Sequence, residues 1–182
     1  SSLVEELSGL VQISNEISIL NLGYFLKPKH IKARIQQCLA IAECSNCPRN
    51  KFGCVIVDPV TNTVKSEGYN NPQRNFNGPY CGGSVCSRDE LKILSGTCYE
   101  IGCLHSEANA ILAAARNGIS INGCIAFVSG EPCLACSKFI HQVGISKVYV
   151  LKDKYTTDDG INYLKNNGVG IFKVNEEGII YE

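Results

Sequence analysis

The chain predicts an α/β fold of three layers, α/β/α, built on a mixed sheet of about five strands whose last three run parallel. Two observations carry this. From residue 104 onward helical and strand patterns alternate with short breaks, as they do where crossover helices join parallel strands. Before residue 70, two β-rich runs flank Asp58-Pro59 and Thr61-Asn62, which reads as an antiparallel hairpin. At 182 residues the chain is long enough to bury one core without covalent staples.

Leu3, Leu7, Leu10, Ile13 and Ile17 recur at three- and four-residue spacing, so residues 3–20 predict an amphipathic helix. It is expected to be an addition to the core or a subunit contact, dividing the chain into a helical extension over 1–27 and a domain over 28–182. Pro28 should open the next helix, where Ile31, Ile35, Cys38, Leu39 and Ala42 form an apolar stripe. Phe52 to Val57 and Thr63 to Tyr69 are the hairpin strands. Residues 70–100 read as loop, because Asn70-Asn71-Pro72, Gly78-Pro79 and Gly82-Gly83 break any period. A loop that long inside a compact domain needs something to hold it down. The regular part follows: a helix from Leu104 to Asn117, a strand Cys124 to Val128, a helix Pro132 to Val143, a strand Lys147 to Leu151, a helix near Asp158 to Asn167 and a strand Gly170 to Val174. There is no internal repeat or low-complexity segment.

Two short segments carry chemistry. His105-Ser106-Glu107, followed by Glu131-Pro132-Cys133-Leu134-Ala135-Cys136, matches the H-x-E and P-C-x-x-C signature of zinc deaminases. A catalytic zinc keeps three protein ligands and leaves a tetrahedral position for water, and His105, Cys133 and Cys136 supply three. Sulfurs three residues apart converge on one ion at the start of a helix. Pro132 is expected at the first helical position, where its missing N–H costs nothing and the helix dipole favours thiolate nearby. Glu107, two residues from His105, is left to face a substrate as general acid and base. The alternative is a structural zinc or buried free thiols; against it stands the strand and helix order around the motif, the context the signature requires.

Composition narrows the classes further. With 17 basic and 17 acidic residues the formal charge is zero, and no basic block stands out, which argues against a polynucleotide partner. No apolar run approaches a membrane span, so no membrane partner is expected. Eleven cysteines without a secretory leader pattern suit a reducing, cytoplasmic setting, in which they serve as metal ligands or small core residues. Cys38, Cys54 and Cys124 lie on apolar faces and are expected in the core.

Together with Phe52-Gly53-Cys54-Val55-Ile56-Val57, Gly68-Tyr69-Asn70-Asn71, Asn109-Ala110-Ile111, Gly144-Ile145-Ser146-Lys147-Val148-Tyr149 and Tyr155, these motifs resemble the cytidine-deaminase-like superfamily, specifically its deoxycytidylate deaminase branch, over about Cys38 to Val174. The resemblance implies a cytidine-deaminase-like fold and zinc-dependent hydrolysis of dCMP to dUMP and ammonia on the route to thymidylate. It also implies a homo-oligomer, with a hexamer favoured, activated by dCTP and inhibited by dTTP, with Mg2+ accompanying a nucleotide effector. By the same resemblance Asn70 contacts the sugar or phosphate, and Tyr155 lines the substrate pocket. Asn70 also suits a turn, Tyr155 a surface strand end, and Asn109 either substrate contact or a hydrogen bond to loop backbone. Two departures stand out: Ser106 replaces the family's usual Ala, and Asn46-Cys47-Pro48-Arg49 stands where many members carry Lys-Asp-Pro. Phosphate contacts therefore do not transfer, and Arg49, Lys51, Arg74 and Arg88 are all candidates.

Cys47, Cys81, Cys86 and Cys103 bracket the irregular loop and resemble the structural zinc site of some deoxycytidylate deaminases. A closed four-sulfur site would offset the entropy of ordering roughly 30 residues. The competing set is Cys44, Cys47, Cys81 and Cys86, using Cys-x-x-Cys spacing, with Cys98 a further candidate. The leading function is deamination of dCMP as a small-molecule nucleotide substrate. Its rivals are a zinc deaminase of another pyrimidine, nucleoside or nucleobase, and a non-catalytic zinc-binding regulatory module, against which Glu107 speaks. Arg116 and Asn117, ending the motif helix, are candidates for a subunit junction that transmits effector response.

Overall fold

The computed structural model describes residues 3–10, 26–75, 81, 84–97, 100–152 and 158–182. Ile13, Ile17, Cys98 and Tyr155 lie outside them. In chain order the elements are helix α1 over residues 3–10, α2 (Pro28–Ala42), β1 (Gly53–Val57), β2 (Val64–Tyr69), α3 (Ser87–Glu90), α4 (Ser106–Arg116), β3 (Ile125–Val128), α5 (Leu134–Gln142), β4 (Lys147–Val150), α6 (Asp159–Asn166) and β5 (Gly170–Lys173).

The five strands form one mixed sheet in the order β2-β1-β3-β4-β5. β1 is antiparallel to β2 and β3, whereas β3, β4 and β5 are parallel, so the last three strands run as expected. Alternate residues divide cleanly between two cores, as the two-residue period of a strand requires. Cys54, Ile56, Ala126, Val128, Val148 and Val150 face α4, α5 and α6. Val55, Val57, Ile125, Phe127, Tyr149 and Leu151 face α2, meeting Ile31, Ile35 and Cys38. Burial on both faces explains why β1 and β3 read as unbroken apolar runs. Across the α2 face the rings of Phe127, Tyr149 and Phe172 stack at 4.9 and 5.0 Å between centroids, one from each parallel strand.

Local signals explain the ends of several elements. Pro28 occupies the first turn of α2 behind an extended Lys27. In the β1–β2 connection the Asp58 carboxylate accepts from the amides of Val60 (2.8 Å) and Thr61 (3.1 Å), while Asn62 takes the left-handed conformation. The structure departs from the sequence reading in two places. Residues 70–100 are not all loop, since α3 interrupts them. Pro132 is not the first helical residue of α5: Cys133 is the N-cap, its sulfur accepting from the Cys136 amide, so the helix begins at Leu134. A capping sulfur starts the helix later than the proline rule suggests, leaving the Pro132 carbonyl against Gly160 of α6, where a side chain would collide with it. Cys38, Cys54 and Cys124 are buried, as expected. Leu3, Leu7 and Leu10 of α1 are exposed.

Candidate metal centre and active site

The N-terminal ends of α4 and α5 meet beside the sheet and bring the two motifs together. His105 is the N-cap of α4 and Cys133 that of α5. The approach of α4 to the sheet depends on Gly68 in β2, because a Cβ there would meet the Ser106 carbonyl and the Ala110 amide. Ala108, Cys133 and Cys136 pack as a small cluster of their own.

His105 Nδ1 lies 3.4 Å from Cys133 Sγ and 3.5 Å from Cys136 Sγ. Tetrahedral angles with ordinary zinc bond lengths put nitrogen and sulfur donors about 3.5–3.6 Å apart, so the donor set matches zinc in both type and spacing. All three ligand atoms fall within 4.8 Å of one another, and among the described residues no fourth protein ligand joins them. A hydrogen bond from Cys136, reinforced by His105, holds the Cys133 thiol well below the ordinary thiol range despite burial, which favours the metal-binding thiolate. Burial pushes the His105 imidazole down, but the Cys133 contact and the charge of Glu107 outweigh it and raise its pKa.

Glu107 is buried, and Ser106 Oγ donates to its Oε2 at 3.1 Å. Burial raises its carboxyl pKa, opposed mainly by His105. It lines a cleft of about 660 Å³, open mouth included, together with His105, Asn70, Cys103, Arg49 and Arg88. Ser106 was visible in the sequence only as a departure from the family; its hydroxyl beside the carboxylate is a contact the motif did not announce.

The remaining candidates separate. Asn70 lines the cleft, but its amide is engaged by the chain: Oδ1 accepts from the Phe52 amide at 2.7 Å, and Nδ2 donates to the Asn50 carbonyl at 2.8 Å. Asn109 lines a second cavity with Arg74, Arg116 and Asn117, and donates to the carbonyls of Tyr69 (2.7 Å) and Leu104 (3.4 Å). Cys47 and Cys81 lie close enough to the Cys103 thiol to push its pKa up, together with burial. Cys86 is the N-cap of α3 and lines the cleft with Cys47 and Cys103, whereas Cys44 is exposed.

The family model for the cytidine and deoxycytidylate deaminase zinc-binding region matches residues 28–152. The chain belongs to that family. It is 34% identical over 135 residues to a deoxycytidylate deaminase of Saccharomyces cerevisiae, covering 73% of this chain and 41% of the relative. A deoxycytidylate deaminase of phage T4 is 41% identical over 80 residues, covering 42% and 40%. The chain thus spans about two fifths of the length of these two curated relatives. The crystal structure of a dCMP deaminase from cyanophage S-TIM5 in complex with dCMP and dUMP superposes with a TM-score of 0.67 at 30% identity, covering 82% of this chain and 99% of that one. Among the described residues no helix is long and apolar enough to cross a membrane.

Proposed function

We propose that this chain hydrolyses dCMP to dUMP and ammonia, with His105, Cys133 and Cys136 holding zinc and Glu107 moving the protons. The observation that carries the reading is a buried carboxylate opening on a cleft beside an imidazole and two thiols spaced for one ion. The yeast and T4 relatives are named deoxycytidylate deaminases, and the cyanophage enzyme was crystallised with dCMP and dUMP. Zinc, when bound, supplies Lewis acidity that makes a water nucleophilic near neutral pH. The Glu107 carboxylate takes a proton from the attacking water and gives it to the ring nitrogen N3. The water oxygen stays on C4; Glu107 then takes the second proton from that C4 hydroxyl and passes it to N4, so that C4=O forms as the C4–N4 bond breaks and ammonia leaves. Its raised pKa suits a group that must hold a proton between those steps. Ser106 Oγ, donating to one carboxylate oxygen, steers the other.

Glu107→Gln tests this. The variant should keep its zinc and its fold while ammonia release falls roughly 10²- to 10⁴-fold. Full activity in that variant, or a wild type fully loaded with zinc that releases no ammonia from dCMP, refutes the reading.

The reading extends to a structural zinc on Cys47, Cys81, Cys86 and Cys103. The contacts of Cys103 with Cys47 and Cys81 favour this set over the one using exposed Cys44. Metal analysis should return two zinc ions per chain, and one removes the second site. We further infer a helical extension over 1–27 on a domain over 28–182, and a homohexamer answering dCTP and dTTP with Mg2+. The extension rests on the apolar period of its leucines and isoleucines and the assembly on the motif resemblance, and light scattering with effector titrations tests the assembly. Arg116→Glu should change the effector response more than the zinc content; an unchanged response counts against a junction there.

A further inference from the structure

None of the three donors comes from α6, and no motif residue lies on it, yet this helix sits directly against the turn that delivers Cys133. Its buried residues are Gly160, Ile161 and Leu164. Ile161 and Leu164 enter the core beside Ile140 of α5, as the apolar face of a surface helix does. Gly160 is different. Glycine is the weakest helix former after proline, and Gly160 does not take the positive φ that would call for one. Closeness accounts for it instead: a Cβ there would meet the Pro132 carbonyl oxygen and stand 2.8 Å from Ser137 Oγ and 3.0 Å from the Cys133 carbonyl carbon. Two of those three atoms are backbone of the Pro132–Cys133 segment.

A second contact ties the same two helices one turn further on. Tyr163 follows Gly160 by three residues and His141 follows Ser137 by four, so both pairs fall on one seam. The Tyr163 hydroxyl and His141 Nδ1 share a hydrogen bond at 2.9 Å, and the rings meet edge to face at 5.6 Å between centroids. Neither residue lines the cleft that holds Glu107. The glycine sets how near α6 comes to α5, and the Tyr163–His141 pair sets where along α5 it rests.

This placement matters because the donors come from two helices. His105 caps α4, whereas Cys133 and Cys136 ride on α5, and their separations of 3.4 and 3.5 Å from His105 Nδ1 hold only while α5 keeps its position. We propose that α6 is the brace of the metal centre: Gly160 seats it on the Pro132–Cys133 backbone, the Tyr163–His141 bond locks its register, and together they set zinc affinity and the geometry of the sulfur donors. Gly160 and Tyr163 are positioning residues that act through Cys133 and Cys136. The inference rests on the zinc reading above and extends it to a helix that carries none of the chemistry.

Zinc affinity by chelator competition tests this, with the visible spectrum of the Co2+-loaded protein reporting the sulfur geometry. The binding step that a Cys136→Ala protein lacks is the one followed. Gly160→Ala should weaken that step roughly ten- to hundredfold, the usual scale for groups behind metal ligands, and shift the cobalt bands. Adding Ser137→Ala clears the one side-chain obstacle but not the backbone ones, so the double variant should stay weak. Tyr163→Phe adds no bulk and should shift the same bands with a smaller loss, which decides the matter where Gly160→Ala does not fold. Leu164→Val, a core change on the same helix, should lower the urea midpoint and leave affinity and spectrum as in wild type. Wild-type affinity and spectrum in Gly160→Ala or in Tyr163→Phe overturn the brace, as does recovery in the double variant or an equal loss in Leu164→Val. A wild type that binds zinc but releases no ammonia from dCMP overturns the deaminase reading alone, and one that lacks the binding step overturns both.

Discussion

Replacing Gly68 with Ala probes the contact that sets the motif helix against the sheet. An added Cβ would stand 2.5 Å from the Ser106 carbonyl oxygen, and the Ala110 amide also lies in its way, whereas real Cβ atoms essentially never come closer than 3.0 Å. Both obstacles are backbone of α4, so no side chain can swing aside; either β2 or the helix must move by about half an ångström or more. Overpacking of this kind costs about 1–3 kcal/mol, and for a chain of this size each kcal/mol lowers the melting temperature by about 2–4 °C. The displaced segment carries His105 and Glu107, and misplacing reacting groups by an ångström costs on the order of a hundredfold in rate. Gly68→Ala should therefore lower the urea midpoint and cut ammonia release roughly ten- to hundredfold while zinc content stays near wild type. Gly118→Ala is the control: Gly118 has φ of +65° just beyond α4 and nothing within 4 Å of an added Cβ. It should cost about 1–2 kcal/mol of backbone strain without touching the rate. A Gly68→Ala protein with unchanged midpoint and unchanged rate would refute the account of how α4 is seated.

Asn70→Ala strips partners from the Phe52 amide and the Asn50 carbonyl; a loss of about 1–3 kcal/mol in denaturant unfolding is expected, and an unchanged midpoint would leave its role to substrate alone. Amide donors from Thr61 and Val60 hold the Asp58 carboxyl below its ordinary value of 3.8. Because the folded pKa is the lower one, its contribution is present above about 3.8 and disappears as pH falls through the folded value. Asp58→Ala should thus be less stable than wild type at neutral pH, with the gap closing in acid; a gap independent of pH contradicts the linkage. Burial pushes the Cys38 thiol far up, and its Sγ donates to the Phe127 carbonyl at 3.1 Å. Iodoacetamide should leave Cys38 and Cys54 unmodified until the protein unfolds, and labelling of either in the native state, read by mass spectrometry, would contradict their placement in the core.

That His105, Cys133 and Cys136 would converge as a set of metal-type donors was legible because donor type and helix periodicity are local properties. Element order was legible for the same reason: apolar period switches between 3.6 and 2 within a few residues of each boundary. The Pro132 expectation failed by two residues, since the rule counts positions while the structure lets a sulfur cap the helix. Among the arginines the sequence offered no ranking at all.

What the chain determined alone is the parts supply: three donors for zinc, a carboxylate two residues from one of them, and strands apolar enough to be covered on both faces. Tertiary structure alone decided that β1 lies between β2 and β3, that Asn70 spends its amide on backbone, and that Arg88 is absorbed by carbonyls while Arg49 borders the cleft. The reason is distance along the chain. A hydrogen bond between residues 49 and 95, or a glycine in β2 touching α4, depends on how separately formed elements pack, and nothing in the spacing around either partner encodes it.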